Sequence, residues 1–434
     1  MTSEWRETTF QQLLDEGLLE IGDGYRAKNS ELGGTGLIFL RAGHVTDSHI
    51  DFTGVEHFHE HLAEKVRSKM SKVGDTIITT KGNSTGRTSF VNDRLPPFVY
   101  SPHLSYWRSR DMEKLCGGFL RYWSQGFEFI EQLSSMKSST DMAPYMSLTD
   151  QRRLSITLPP FAEQKAIAHI LGTLDDKIEL NRKMNVTLEA MARALFKSWF
   201  VDFDPVRAKL DGRQPAGMDS DTAALFPSEF QESDLGPIPR GWKLDVLASA
   251  FNLTMGQSPP GTTYNESGDG LPFYQGRTDF GFRFPTRRIY CTAPTRYAKP
   301  GDTLVSVRAP VGDINMAHEV CCIGRGIAAV SHKKGAVSFT YYAMSNLSSE
   351  FARYEAEGTV FGSINKQNFE NLTFVNPSTN VVESYEEQAR VFDGQISNLE
   401  KQIRTLANLR DTLLPKLLSG ELSVPEAMKE VARV

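Results

Sequence analysis

The sequence predicts an α+β protein made of one plan used twice. Two β-rich domains alternate with two long helices that pair as a coiled coil, in a pseudo-two-fold duplication. Three observations predict this. Gly74-Asp75-Thr76-Ile77-Ile78-Thr79-Thr80 is answered 227 residues on by Gly301-Asp302-Thr303-Leu304-Val305-Ser306-Val307, and Glu163-Gln164 is answered 224 residues on by Glu387-Gln388. Two long stretches carry apolar residues at helical spacing. Both are preceded by turn-rich, β-branched sequence. A solenoid would repeat every ~20–50 residues, so a period this long marks a duplicated module.

The elements follow in order. Residues 1–158 are rich in Gly, Asn, Thr and short β-branched runs, and a Gly-Asp turn leads into the strand near Thr76–Thr80. The first spacer helix spans 159–200. It begins after Pro159-Pro160, because proline fits only the first turn of a helix. Ile167, Leu171, Leu174, Ile178, Leu188 and Leu195 form its stripe, Met184 and Met191 widen it, and Asn181 and Asn185 interrupt it. About 40 residues at ~1.5 Å each give a helix of about 60 Å.

Residues 201–240, with 8 acids, 4 Lys/Arg and five prolines, read as an extended linker. The second β-rich domain covers 241–380, and the second spacer helix covers 381–420. That helix starts at the capping box Ser384-Tyr385-Glu386-Glu387. Its stripe is Phe392, Ile396, Leu399, Ile403, Leu406, Leu413 and Leu417, with Arg410 as the one charged position; Pro415 is expected to kink its last turn and Gly420 to stop it. Residues 421–434 are a tail. Ile178, Leu188, Ile403 and Leu406 are the expected seam of the helix pair.

No run of 18 apolar residues exists, which predicts no transmembrane span, and Met1–Glu7 has no leader pattern. Cys116, Cys291, Cys321 and Cys322 form no Cys-x-x-Cys pair, so reduced thiols and a cytoplasmic location are expected. The net charge is −5, but it is unevenly spread. Residues 1–64 carry 12 acids and 4 Lys/Arg, whereas 65–94 and 271–308 are each +5. These two basic windows bracket equivalent places of the repeat. Clustered Lys and Arg can neutralise phosphates and release their counterions.

Catalytic patterns are incomplete. Gly82-Asn83-Ser84-Thr85-Gly86-Arg87-Thr88 lacks the Gly-Lys-Ser/Thr ending of a phosphate loop. Leu95-Pro96-Pro97-Phe98 and Leu158-Pro159-Pro160-Phe161 put leucine where amino-methylating DNA enzymes need a polar side chain, and Ser258-Pro259-Pro260-Gly261 lacks the aromatic. Glu163-Gln164-Lys165, with Asp150 before it, has nuclease-like spacing, but the second copy reads Glu387-Gln388-Ala389. An acid in the first turn of a helix is sufficient explanation. His57, His59 and His61 alternate along a strand-like segment, where a solvated surface is the simpler reading than a metal site.

Several segments resemble the specificity subunit of type I restriction–modification systems. Gly256-Gln257-Ser258-Pro259-Pro260, Pro272 through Gly281, and Lys299 through Val305 follow the course of that family's target recognition domain. Pro159 through Ile167 and Asn376-Pro377 through Gln388 resemble the starts of its spacer helices. Phe196 through Pro205 resembles a helix exit, and Leu235 through Lys243 the lead-in to a recognition domain. The likeness covers nearly the whole chain. The first copy departs from it: Trp5 lacks the Pro-x-Gly-Trp of Pro239–Trp242, and Gly-x-Ser-Pro-Pro is missing.

The resemblance implies an adaptor without catalysis of its own, acting in DNA methylation and host defence. Each recognition domain would read one half of a bipartite, asymmetric target in double-stranded DNA, and the two helices, paired as an antiparallel coiled coil, would set the gap. Two methyltransferase subunits and the motor/endonuclease subunits would be its partners. S-adenosylmethionine, ATP and Mg would belong to those subunits, with no cofactor in this chain. Charge and loop context nominate Lys81, Arg87, Gln275, Arg277, Arg283, Arg287 and Arg308 for phosphate or base contact. The alternatives are a protein scaffold that binds no DNA and a self-contained modification enzyme.

Overall fold

The computed structural model describes residues 5–46, 49–138, 144–356 and 362–433. Met1–Glu4, on which part of the leader reading falls, therefore lies outside the described residues. The chain divides into two units, residues 1–179 with 403–434, and residues 180–402. Each unit holds one β-rich domain and a segment of both long helices.

In the first unit, an antiparallel sheet runs in the order Leu19–Asp23, Leu104–Ser109, Thr76–Thr79, Thr88–Phe90. A second sheet pairs Ile38–Leu40 antiparallel with Glu56–His57 and parallel with Phe98–Tyr100. The second unit repeats both. Phe251–Met255, Ile327–His332, Thr303–Ser306 and Ile314–Met316 form the antiparallel sheet. Leu271–Tyr274 and Cys321–Ile323 form the parallel pair of a five-stranded sheet. The Gly-Asp turns are alike for a physical reason: Gly74 and Gly301 sit at φ +95° and +88°, where a side chain is disfavoured.

A two-stranded ribbon leads into each long helix. Arg6–Thr9 pairs with Ser155–Leu158, and Lys243–Val246 pairs with Thr373–Asn376. Trp5 and Trp242 precede the first strand of each ribbon, so the aromatic lead-in is shared although the Pro-x-Gly before it is not. The first long helix is Phe161–Phe200 and the second is Thr379–Leu418. The second starts earlier than its capping box suggests. Pro377 does there what Pro159 does in the first copy, and Ser384 lies inside the helix. The ribbon ends Leu158 and Asn376 are 218 residues apart, so the match of Glu163-Gln164 with Glu387-Gln388 is out of register by six residues.

Buried stripes join the helices within each unit. In the first, Ile167, Leu171, Leu174 and Ile178 share a core with Leu406, Leu413 and Leu417, and Ile403 packs at its edge. In the second, Ala192, Phe196, Trp199 and Phe200 share a core with Val381, Val382, Tyr385 and Ala389. The start of one helix thus meets the end of the other, in antiparallel order. Leu188 is only half-buried, and Met184 and Met191 are exposed rather than part of the stripe. Asn181 and Asn185 are buried in their place. Their amides donate to Gln402 (3.1 Å) and Glu400 (2.7 Å). Arg410 meets Asp175 at 2.7 Å, so the charged stripe position is paired.

Two readings are corrected. Residues 201–240 are not an extended linker: helices Asp204–Leu210 and Ser220–Ala224 form there, and Phe203, Val206, Phe226 and Trp242 enter the second unit's core. The five prolines coexist with enough apolar residues to bury. The tail also folds, as helix Val424–Val431 behind Gly420, with Ala427 buried in the first unit's core. The second long helix itself continues through Pro415 to Leu418.

Candidate nucleic-acid interface

One end of each β-rich domain gathers loop backbone and polar side chains into a rim. In the second unit the rim forms where the parallel pair ends. The Gly324 N–H donates to the Tyr274 carbonyl (2.9 Å), Gly326 N–H to Gln275 (3.2 Å) and Val307 N–H to Gly326 (2.9 Å). The loop Gly256-Gln257-Ser258 packs beside them, its Gly256 N–H donating to Ile327 and its Gln257 N–H to Ile323. A Cβ on Gly256 would fall 2.2 Å from the Gly324 carbonyl oxygen, so the close approach requires glycine. The Ser258 hydroxyl accepts from the Gln275 side-chain amide (3.0 Å) and from the Arg325 N–H (3.3 Å).

The first unit repeats this rim with other residues. The Ser101 N–H donates to Leu40 (3.0 Å) and the Thr80 N–H to His103 (2.9 Å), and a Cβ on Gly24 would fall 2.0 Å from the Ser101 carbonyl oxygen. An open groove of about 390 Å³ lies there, lined by Arg26, Phe39, Arg41, Ser101 and His103.

The structure sorts the seven nominated residues. Lys81 and Arg308 are exposed and occupy the same place in the two rims, each pairing as a β-bridge, with Tyr145 and Ser363 respectively. Gln275 is on the second rim. Arg277 is exposed beside it and ion-paired with Asp313. Arg87 is exposed on the turn before Thr88–Phe90, its N–H donating to the Ser84 carbonyl. Arg287 is exposed and held by both Glu319 oxygens at 2.6 and 2.7 Å.

Arg283 corrects the sequence reading. It is 1% exposed and donates to Asp393 (2.6 Å) and to the Tyr342 hydroxyl (2.9 Å), with Glu189 at 3.4 Å and the Tyr341 ring 4.0 Å away. Burial opposes its charge, but Tyr341 and Asp393 outweigh that and hold its pKa above the ordinary value. It fastens the domain to the helix pair, and its guanidinium is shielded from solvent.

The rims hold residues that charge counting missed. Arg26 and Arg41 lie in the acidic segment 1–64, and Arg325 lies beyond the second basic window. Only the matched strand ends reveal them. Conversely, much of the basic windows' charge is already paired. Lys65 meets Glu31, Lys69 meets Asp23 (both 2.6 Å) and Arg288 meets Asp279 (2.8 Å).

The catalytic look-alikes have structural duties. Asp150 caps helix Leu148–Arg152 through Ser147. Glu163 accepts from the Trp5 indole (3.2 Å), and the Gln164 side chain accepts from the Cys116 N–H (2.9 Å). The His57 ring bonds the Gly36 carbonyl (2.9 Å), while His59 and His61 stack at 5.9 Å. Among the described residues, no group of three His, Cys, Asp or Glu side chains could hold a metal, and no helix is long and apolar enough to cross a membrane.

Comparisons with known proteins bear on this arrangement. Residues 17–190 match the type I restriction modification DNA specificity domain. The putative type I restriction enzyme MjaX specificity subunit of Methanocaldococcus jannaschii is 26% identical over 97% of this chain and 94% of its own length. The type I restriction enzyme HindI specificity subunit of Haemophilus influenzae is 25% identical over 82% of this chain and 88% of its own. The crystal structure of the type I restriction–modification system S subunit from M. genitalium shares the fold, with a TM-score of 0.60 at 14% identity over 96% of each chain. Two units that share a plan, the paired helices and relatives along nearly the whole length point the same way: residues 17–190 carry a type I DNA specificity domain, and the chain is similar from end to end to type I specificity subunits.

Proposed function

We propose that this chain is the non-catalytic DNA-reading subunit of a type I restriction–modification complex in the cytoplasm. The first unit reads one half of a bipartite, asymmetric target in double-stranded DNA and the second reads the other. The paired helices set the gap and dock two methyltransferase subunits, and the motor/endonuclease subunits join that assembly. S-adenosylmethionine, ATP and Mg are used by those partners.

The observation that carries this reading is the pair of rims. They share strand order, hydrogen bonds and glycine contacts, yet present Arg26, Arg41, Lys81 and His103 in one and Ser258, Gln275, Arg308 and Arg325 in the other. Base edges are distinguished by donor and acceptor pattern, so two readers of different half-targets need one frame and different side chains.

Methylome sequencing of cells carrying this chain with its methyltransferase partner tests the proposal. The expected result is a two-part motif with a fixed gap and methylated adenine in both halves. Methyl transfer by the isolated chain from labelled S-adenosylmethionine would refute the non-catalytic assignment. Binding of the complex to duplex DNA should also weaken steeply as salt rises.

A further inference from the structure

We propose that Arg41 and Gln275 are the matched base-reading side chains of the two rims, so that guanine faces Arg41 in one half-target and adenine faces Gln275 at the corresponding place in the other. This rests on the DNA-reading role proposed above.

The equivalence comes from backbone geometry. In the first unit, Leu40 lies opposite Tyr100 at the end of the parallel pair; in the second, Tyr274 lies opposite Ile323. In each, the next N–H on the partner strand, Ser101 or Gly324, donates back to the Leu40 or Tyr274 carbonyl, at 3.0 and 2.9 Å. Arg41 and Gln275 are the residues that follow. Gly24 and Gly256 press against the same backbone carbonyls, Ser101 and Gly324.

Both side chains are exposed and held by a neighbour. The Arg41 Nε donates to Glu56 at 2.6 Å and its Nη2 meets the same carboxylate, its guanidinium lies 5.0 Å from the Phe39 ring centre, and its backbone N–H donates to His44 Nδ1 at 3.1 Å. A guanidinium has five N–H donors, so the Glu56 pair leaves enough for a bidentate contact with guanine O6 and N7. The Gln275 Nε2 donates to the Ser258 hydroxyl at 3.0 Å. That uses one amide hydrogen and leaves one donor and the carbonyl acceptor, the pattern that adenine N7 and N6 require. The neighbours fix each side chain before DNA arrives, which lowers the ordering cost of binding.

The test uses the complex assembled with its methyltransferase subunits, after the wild-type motif is known. Arg41→Gln is expected to move the preference at one base pair of one half-target from guanine toward adenine, by about tenfold to a hundredfold, with the other half unchanged. Gln275→Arg should do the reverse in the other half. Unchanged discrimination in either variant overturns the assignment. A wild-type complex with no sequence preference would instead refute the DNA-reading role itself. Should a swap unfold its unit, Gln275→Glu preserves shape and should favour cytosine, whose N4 donates; retained adenine preference there would also overturn the assignment.

Discussion

Asp75 and Asp302 occupy the same turn in the two units and live in different surroundings. Each carboxylate accepts from the backbone N–H three residues earlier, Lys72 at 2.8 Å and Lys299 at 2.7 Å. There the likeness ends. Asp75 is wholly buried and bound by Arg108 through Nε (2.6 Å) and Nη2 (2.8 Å), with the Tyr100 hydroxyl at 2.7 Å. The strand register puts Ser331 where Arg108 would be and Ile323 where Tyr100 would be. Asp302 therefore has no such cation, and burial pushes its carboxyl above the usual range. The turn is conserved by local geometry, while the surrounding charge is free to differ.

The largest expected effect breaks that difference open. Arg108→Met should lower the stability of the first unit by about 3–5 kcal/mol, because it strands a buried carboxylate. Asp302→Asn should act in the opposite direction on the second unit at neutral pH. A carboxyl whose folded pKa lies above its unfolded value holds its proton longer when folded, so its contribution falls as pH rises through that window. Urea melts resolved by amide exchange in each unit would check both. Equal loss from the two variants would contradict the contrast.

A second contrast lies where domain meets helix. Tyr122 donates to Asp175 (2.8 Å) and Tyr342 to Asp393 (3.0 Å), at matching distances from the ribbon ends. The arginine comes from different places. In the first unit Arg121 and Arg410 serve Asp175, and Arg410 is 27% exposed; in the second the loop between Asp279 and Tyr290 sends in Arg283, 1% exposed. Arg283→Met should cost about 3 kcal/mol, more than Arg410→Met, since the burial is deeper. The same variant sharpens the functional assignment. It should destabilise without changing base preference once the complex is folded, whereas Gln275 substitutions do the reverse.

What could be read without coordinates divides along similar lines. The long helices, the Gly-Asp turns and the seam at Ile178, Ile403 and Leu406 follow from spacing and from φ restrictions, which are local. The helix start at Thr379 was hidden because a capping box at Ser384 competes with Pro377, and the proline wins. The folded segment 201–240 was hidden because five prolines mimic a linker, while its anchors Phe203, Val206 and Phe226 are few and scattered. The interface was the least legible. Net charge points to windows, but Arg283 shows that a basic window can supply a buried strut. Arg26, Arg41 and Arg325 become neighbours of the rims only through strand pairing.

The smallest expected effect is a difference in acid response. In the first unit, Lys65 and the Lys28 N–H hold the Glu31 carboxyl down to about 2. Its contribution is present above the ordinary value of 4.5 and is lost as pH falls through the range below it. In the second unit, burial pulls the His332 imidazole below 6.5, and Lys334 adds to that. Its ring packs against Phe251 and Phe339 at 5.4 and 5.8 Å, and its Nδ1 accepts from the Lys334 N–H at 3.3 Å. Protonation would cost that bond and charge a half-buried ring. A base with a depressed folded pKa destabilises as pH falls below its unfolded value, so the second unit should begin to weaken below about pH 6.5 while the first holds. Urea midpoints at successive pH values should show the earlier slope vanish in His332→Asn and the later one in Glu31→Gln. Coincident slopes that survive both substitutions would remove the acid response from the list of ways the two units differ.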